Sequence, residues 1–154
     1  MKRIITVIII LIFTTPALIA QDSLKDVVRD YQNKNSEFTL VIPSFLIKVG
    51  LAFGDMEVED RAVLEMIDYM KIVISEKHFH KTDFTMLEEG IKNGNFVEVM
   101  TVNDGADKVR MIMNQKSKRR SEMLMLVESD DESILMLYNF HGEPDFSKFL
   151  SLTN

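Results

Sequence analysis

At 154 residues the chain is the size of one domain, because halving it would leave two pieces too small for a comfortable core. Its composition, 46% hydrophobic and 27% charged with 6 Gly and 3 Pro, excludes collagen-like, low-complexity and wholly disordered classes. Zero cysteines exclude disulfides, thiolate metal sites, cysteine nucleophiles and a lipid anchor on an N-terminal cysteine.

Lys2 and Arg3 precede the apolar run Ile4 to Phe13, which breaks at Thr14, Thr15 and Pro16 and ends in Ala17, Leu18, Ile19 and Ala20. A basic start, a short apolar stretch, a helix breaker and a small residue before the cut follow the order of a secretory signal. A membrane anchor would want roughly 20 apolar residues, and Pro16 interrupts this run early. The reading is a signal peptide over residues 1–20, cleaved after Ala20, and a single mature domain over 21–154 in the periplasm or beyond. Cleavage removes Lys2 and Arg3 but no acid, so 18 basic against 24 acidic residues (-6) becomes 16 against 24, or -8. An acidic surface repels phosphate backbones and argues against nucleic acid. No Gly-rich phosphate loop is present to support nucleotide chemistry.

In the mature chain, Leu24, Val27, Val28 and Tyr31 recur at helical spacing within Asp22 to Lys34 and predict an amphipathic helix. Phe38 to Pro43 switches to period two, with Phe38, Leu40 and Ile42 on one side and Pro43 as the stop. Ser44 is placed to cap a helix whose apolar stripe is Phe45, Leu46, Val49, Ala52 and Phe53, closed by Gly54. Asp55, Glu57, Glu59 and Asp60 suit the start of a further helix carrying Val63, Met66, Ile67 and Met70, followed by a strand near Lys71 to Ser75. Thr85 and Glu88 have capping-box spacing in a helix with Phe84, Leu87 and Ile91, ended by Gly94. Four apolar runs follow, Phe96 to Val102, Asp107 to Asn114, Arg120 to Glu128 and Ser133 to Phe140, separated by short polar turns. Phe146, Phe149 and Leu150 suggest a final short helix. The order predicts an α+β fold: a mixed sheet of about six strands, a C-terminal four-strand antiparallel meander, and helices packed mainly on one face.

The run from Glu37 to Asn154 resembles the bacterial domain of unknown function 4252 family of secreted or lipoprotein-type domains. The residues that carry the resemblance are Gly94-Asn95-Phe96-Val97-Glu98-Val99-Met100, Asp104-Gly105 before Lys108-Val109-Arg110, Ser121-Glu122 leading into Leu124-Met125-Leu126-Val127, and Gly142 after the last strand. These are packing and turn positions, so the resemblance implies fold and export but supplies no catalytic residue. The chain lacks the lipobox cysteine of some similar proteins, which implies no lipid anchor.

No catalytic or cofactor-binding residue can be assigned. His78 and His80, in Lys77-His78-Phe79-His80-Lys81, are the nearest approach to a metal motif, since residues two apart in an extended segment share a face. The flanking lysines repel a cation, and two ligands need Asp83, His141 or another group to fold in. Asp130, Asp131 and Glu132 lack the alternation and central Gly of a calcium loop. Lys116, Lys118, Arg119 and Arg120 form a basic cluster at a hairpin tip, suited to solvent or to an anionic surface, with no interleaved aromatic to stack a base. Counting faces through the meander puts Val97, Val99, Val109, Met111, Met113, Met123, Met125 and Val127 on a core face. The opposite face receives Phe96, Met100, Val102, Ile112, Leu124 and Leu126, with Ile134, Met136 and Tyr138, interrupted by Glu98, Arg110 and Glu122; Phe96, Met100, Leu124, Leu126, Met136 and Tyr138 are the candidate interaction residues. A one-residue slip of the last strand would exchange Met136 and Tyr138 for Leu135 and Leu137. That second face needs a cover: a terminal helix of the chain (Leu24, Val27, Val28 and Tyr31, or Phe146, Phe149 and Leu150), a second copy, or another partner.

The functional expectation is an exported, non-catalytic domain that binds another protein, itself, or an apolar or anionic envelope component. The alternative is a small exported hydrolase or metal-dependent enzyme whose site gathers His78, His80 and His141 from distant segments. Protein isolated from its native host is expected to begin at Gln21, and intact mass checks this; a species retaining Met1 to Ala20 would refute cleavage.

Overall fold

The first amphipathic segment forms helix α1, Leu24–Asn35, whose buried residues are the stripe Leu24, Val27, Val28 and Tyr31. Ser23 caps it by accepting a hydrogen bond from the Lys25 N–H. The remaining elements are β1 (Phe38–Pro43), α2 (Ser44–Phe53), α3 (Val58–Glu65), β2 (Ile67–Ser75), a 3-10 turn (Lys81–Phe84), α4 (Thr85–Lys92), β3 (Val97–Asp104), β4 (Asp107–Ser117), β5 (Arg120–Glu128) and β6 (Ser133–His141). The structure, a computed structural model, describes residues 23–54, 58–105, 107–142 and 144. The signal-peptide segment and the stretch with Phe146, Phe149 and Leu150 lie outside the described residues.

Local boundaries depart from the sequence reading where a long-range bond outcompetes a local one. The helix expected to reach Met70 stops at Glu65 because the Met66 carbonyl accepts from the His141 N–H and draws the following residues into the sheet. Ser44 starts α2 rather than capping it. Glu88 does not close a capping box with Thr85, because its carboxylate is engaged by Arg110. Gly94 does end α4 as expected: with φ +76 it turns the chain so that the N–H groups of Asn95 and Phe96 both reach the Gly90 carbonyl.

The six strands lie in the order β1-β2-β6-β5-β4-β3, and every pairing is antiparallel, where a mixed sheet was expected. The correction concerns β1 and β2. The connection through α2 and α3 leaves at Pro43 and re-enters opposite it, with Pro43 paired to Tyr69, so the helical pair behaves as the loop of a wide hairpin rather than a crossover. The meander from β3 to β6 is as expected, with β6 inserted between β5 and β2.

The pleat sends alternate residues to two unlike faces. On the first, α1, the 3-10 turn and α4 cover Ile112, Leu124, Leu126, Leu135, Leu137 and Val73. Phe96 seats against Gly90, where an added Cβ would lie 2.3 Å from the ring. α2 and α3 lie against the second face, where Ile47, Val63 and Leu64 meet Ile67, Phe140 and Met123.

The first face carries a buried charge. Glu122, 3% exposed, accepts from the Ser23 hydroxyl at 2.9 Å and the Leu24 N–H at 3.0 Å, with the Lys116 ammonium at 3.3 Å. A strand carboxylate thus completes the N-terminus of α1, satisfying a free helix N–H and meeting the positive end of the dipole. Glu122→Ala leaves the buried Ser23 hydroxyl and the Leu24 N–H without their acceptor and Lys116 without its counter-ion. It is expected to lower stability by about 2–4 kcal/mol, read from the midpoint of denaturant unfolding. A change below about 0.5 kcal/mol would show that α1 docks without this contact.

Candidate functional site

The side chains with the most chemical potential are dispersed. In the segment leading to the 3-10 turn, Phe79 points inward against Tyr31 and Phe84, with ring centroids at 5.6 and 5.2 Å, which turns His78 and His80 outward into solvent. The alternation that made them a candidate pair is the signature of an aromatic anchor between two solvated residues. His141 sits at the other end of the sheet, with Nδ1 3.0 Å from Asp68 Oδ1. Ser75 pairs with Ser133 at one end and Ile67 with Phe140 at the other, so roughly 25 Å of strand separates the pair from His141. Among the described residues, no three His, Asp or Glu side chains form a group able to hold a metal.

The basic cluster is divided as well. Lys116 turns inward to Ser23 and Glu122. Lys118, Arg119 and Arg120 are exposed at the β4–β5 turn, where the Arg119 carbonyl accepts from the Gly142 N–H.

A cleft of about 180 Å³ opens beside the aromatic triad, lined by Phe79, His80, Lys81, Phe84, Glu88, Lys108, Arg110, Leu126 and Glu128. Four of its charged side chains are paired, Arg110 with Glu88 and Lys108 with Glu128, while His80 and Lys81 stand exposed at its edge. Arg110 bridges Glu88 at 2.7 Å and Glu98 at 2.5 Å, and Glu98 also accepts from the Thr101 hydroxyl at 2.7 Å. The Thr101 hydroxyl and the Arg110 guanidinium hold the Glu98 carboxyl below the usual carboxylate range. Burial alone would push the Glu128 carboxyl up, but the Lys108 ammonium and the Phe79 N–H outweigh it and hold it low. With roughly 300–1,000 Å³ typical of a ligand pocket, this cleft is small, and its ions tie α4 and the Phe79 segment to the sheet.

The second sheet face is of a different kind. Register places three continuous rows across all six strands on it. The first is Val102, Val109, Val127, Ile134, Ile74 and Phe38; the second is Met100, Met111, Met125, Met136, Ile72 and Leu40; the third is Val97, Met113, Met123, Tyr138, Met70 and Ile42. No charged side chain interrupts them. Burial pushes the Tyr138 hydroxyl up from its ordinary value, so it stays neutral, and it donates to Met136 Sδ at 3.5 Å. Only Met111 and Met123 are buried; Phe38, Leu40, Val97 and Val102 are exposed, and the others are intermediate. α2, on the same side, buries Leu51 and leaves Phe45, Leu46, Val49 and Phe53 exposed, Phe53 at 89%. The stripe read from sequence as the apolar face of that helix therefore points to solvent. This apolar surface is the candidate site.

The six interaction candidates divide between the faces. Phe96, Leu124 and Leu126 are buried in the first-face core with α1 and α4, while Met100, Met136 and Tyr138 belong to the open face. Two features moved them. A bulge between Glu98 and Met100 puts Met100 beside Val97 and Val102, and the Ser129–Glu132 turn sets Leu126 opposite Leu135, the slipped register. Sequence reasoning missed the role of α2; the available signal was a helix with Lys48 as its one charge, apolar on every side.

These features define the class: an α+β domain with a six-stranded antiparallel sheet, one face closed by α1 and α4 and the other apolar, covered by α2 and α3 at one end and exposed at its β1 and β3 edges. The family model described as domain of unknown function DUF4252 matches residues 22–149, and the chain belongs to that family. The match takes in α1, which the resemblance read from sequence left out. No curated protein and no solved structure matches the chain.

The lowered Glu98 and Glu128 carboxyls link stability to acid. Their contribution is complete above the ordinary carboxylate value of 4.5 and is lost as pH falls through the lower folded values. A Glu98→Gln, Glu128→Gln variant is expected to be less stable than wild type at pH 7 and to show a flatter loss below pH 4.5, read from urea midpoints between pH 7 and 3.

Proposed function

We propose that the protein is an exported, non-catalytic interaction domain that works by burying an apolar sheet face against a macromolecular partner. The observation that carries this reading is the set of three apolar rows crossing all six strands without a charge. A face meant for water in an antiparallel sheet alternates to polar residues, and leaving large side chains exposed invites aggregation unless a partner covers them. Export is supported by the order of residues 1–20 and by a family match that begins at residue 22. The absence of chemistry is supported by the pairing of Arg110 and Lys108 with Glu88, Glu98 and Glu128 in and beside the cleft, and by the distance between His78 or His80 and His141.

A photo-crosslinking residue in place of Met136, expressed in the native host, is expected to give a discrete adduct. The same probe in place of exposed Arg29, on the far side of α1, is expected to give none. The adduct is expected to persist when His78, His80 and His141 are all replaced by Ala and to vanish with Met125→Glu. An adduct indifferent to Met125→Glu, or a metal-dependent turnover lost with the three histidines, would overturn the reading.

A further inference from the structure

We propose that the occupant of the open face is a second copy of this chain, so that the functional unit is a homodimer closed sheet to sheet. The proposal rests on the interaction-domain reading and names its partner.

Four observations select a second copy. The first is size. Three rows over six strands, at about 4.8 Å between strands and about 6.7 Å between same-face residues, span roughly 500 Å², part of it beneath α2 and α3. The exposed stripe of α2 adds surface on the order of 300 Å², mostly from Phe45 and Phe53. Less the part that α2 and α3 cover, the total is below the roughly 800 Å² that each partner contributes to a standard interface and comparable to the largest apolar patch of a typical monomer, about 300–600 Å², the size that commonly marks an interaction site.

The second is shape. The cleft lined by Phe79, Phe84 and Leu126 belongs to the opposite face, and the clefts at α2 and α3, lined by Lys48, Arg61 and Glu65 among others, include none of the row residues, so the rows offer a small apolar ligand a surface rather than a pocket. The third is charge. The mature chain is acidic, 16 basic against 24 acidic residues or -8, Lys48 is the one cation on α2, and the exposed basic cluster Lys118, Arg119 and Arg120 is confined to the β4–β5 end rather than running along the rows, which is unfavourable for laying this face on an anionic bilayer. The fourth is self-complementarity. A two-fold interface sets the same patch against itself, which the three uncharged rows satisfy because they hold no charge to meet its own image, Asp104 and Asp107 lying beyond them at the β3–β4 end. A specific unlike partner is selected by charges and hydrogen bonds, and the Tyr138 hydroxyl is here occupied by Met136. Partly exposed methionines along the middle row, Met100, Met125 and Met136, let two such faces interdigitate, because the thioether side chain adapts to irregular gaps.

The test is solution mass of the purified mature chain by sedimentation across a concentration series. Wild type is expected to sediment as a dimer. Phe53→Ser removes a side chain that is 89% exposed and so cannot unfold the monomer. It is expected to weaken dimerisation about 10- to 100-fold, and Met136→Glu to give a folded monomer with wild-type far-UV circular dichroism. If Met136→Glu fails to fold, Phe53→Ser and a parallel Phe45→Ser decide by their dissociation constants.

A wild-type monomer at the highest concentration reached, or a dimer indifferent to all three substitutions, overturns the proposal. A monomer that binds zwitterionic phosphatidylcholine vesicles through this face assigns it to a bilayer. A monomer whose Met136 probe crosslinks within its own chain assigns it to a segment of the same molecule. A monomer that still forms the Met125-dependent adduct in its host retains the interaction-domain reading and loses only the second copy. Loss of that adduct as well removes both.

Discussion

The docking of α1 onto the β4–β6 face is the contact on which the remaining structure depends. At roughly 1.5–3 kcal/mol for each large side chain fully buried, Leu24, Val27, Val28 and Tyr31 supply on the order of 6–12 kcal/mol before the cost of ordering the helix. That is comparable to the whole net stability of an ordinary domain. The docking has a polar condition, because strand residues at the margin of the covered face lose water when the helix arrives. Glu122 is answered by the start of α1 itself, Arg110 by Glu88 and Glu98, and Glu128 by Lys108 and the Phe79 N–H. Each ion that the covered face buries or shields becomes a bond between an element and the sheet, which accounts for charges that otherwise resemble a cleft with chemistry.

The same docking leaves the two faces of the sheet in different circumstances. The covered face is apolar only along its centre and polar at both margins, the usual pattern where a helix lies over a sheet. The other face is apolar from edge to edge, while α2 and α3 reach only one end of it. A sheet that needed only to fold could have spent polar residues on that side, as the covered face does at Lys108, Glu128 and Ser133. Eighteen consecutive register positions without a charge are more than folding of the isolated chain requires.

Much of this was legible in the residues. The α1 stripe, the six strands, the antiparallel meander and the end of α4 at Gly94 follow from periodicity and turn chemistry, which are local signals. The errors arose where a distant contact decided. Pattern alone cannot distinguish a strand that continues through Val99 from one that bulges there, yet the bulge moved Met100 to the other face. The Ser129–Glu132 turn admitted two registers for β6, and the difference of one residue carried Met136 and Tyr138 away from Leu124 and Leu126. The candidate interaction face was therefore half right in membership for a reason that sequence spacing does not encode. The outward stripe of α2 was hidden by a further ambiguity: an all-apolar helix states that two sides need cover, not which side the chain itself covers.

An apolar surface and a folded acidic chain impose opposite demands, and the sequence meets both by segregation. Exposed charge keeps a protein dispersed, and here it lies on the first-face margins, the helices and the turns, while on the second face it is confined to Asp104 and Asp107 at the β3–β4 end, outside the three apolar rows. The exposed edge rows differ from the interior in residue type. Phe38 and Ile42 on β1 and Val97 and Val102 on β3 are aromatic or β-branched edge residues, with Leu40 and Met100 between them, while six of the eight interior positions of the second and third rows are methionine. The β-branched and aromatic edge side chains keep one shape, whereas thioethers adjust to what arrives. A surface built only as core would gain from uniform close packing, and a surface built only to bind would gain from polar recognition. A rigid rim around an adaptable, chargeless centre is what is expected when one partner of matching composition must be admitted and water kept out.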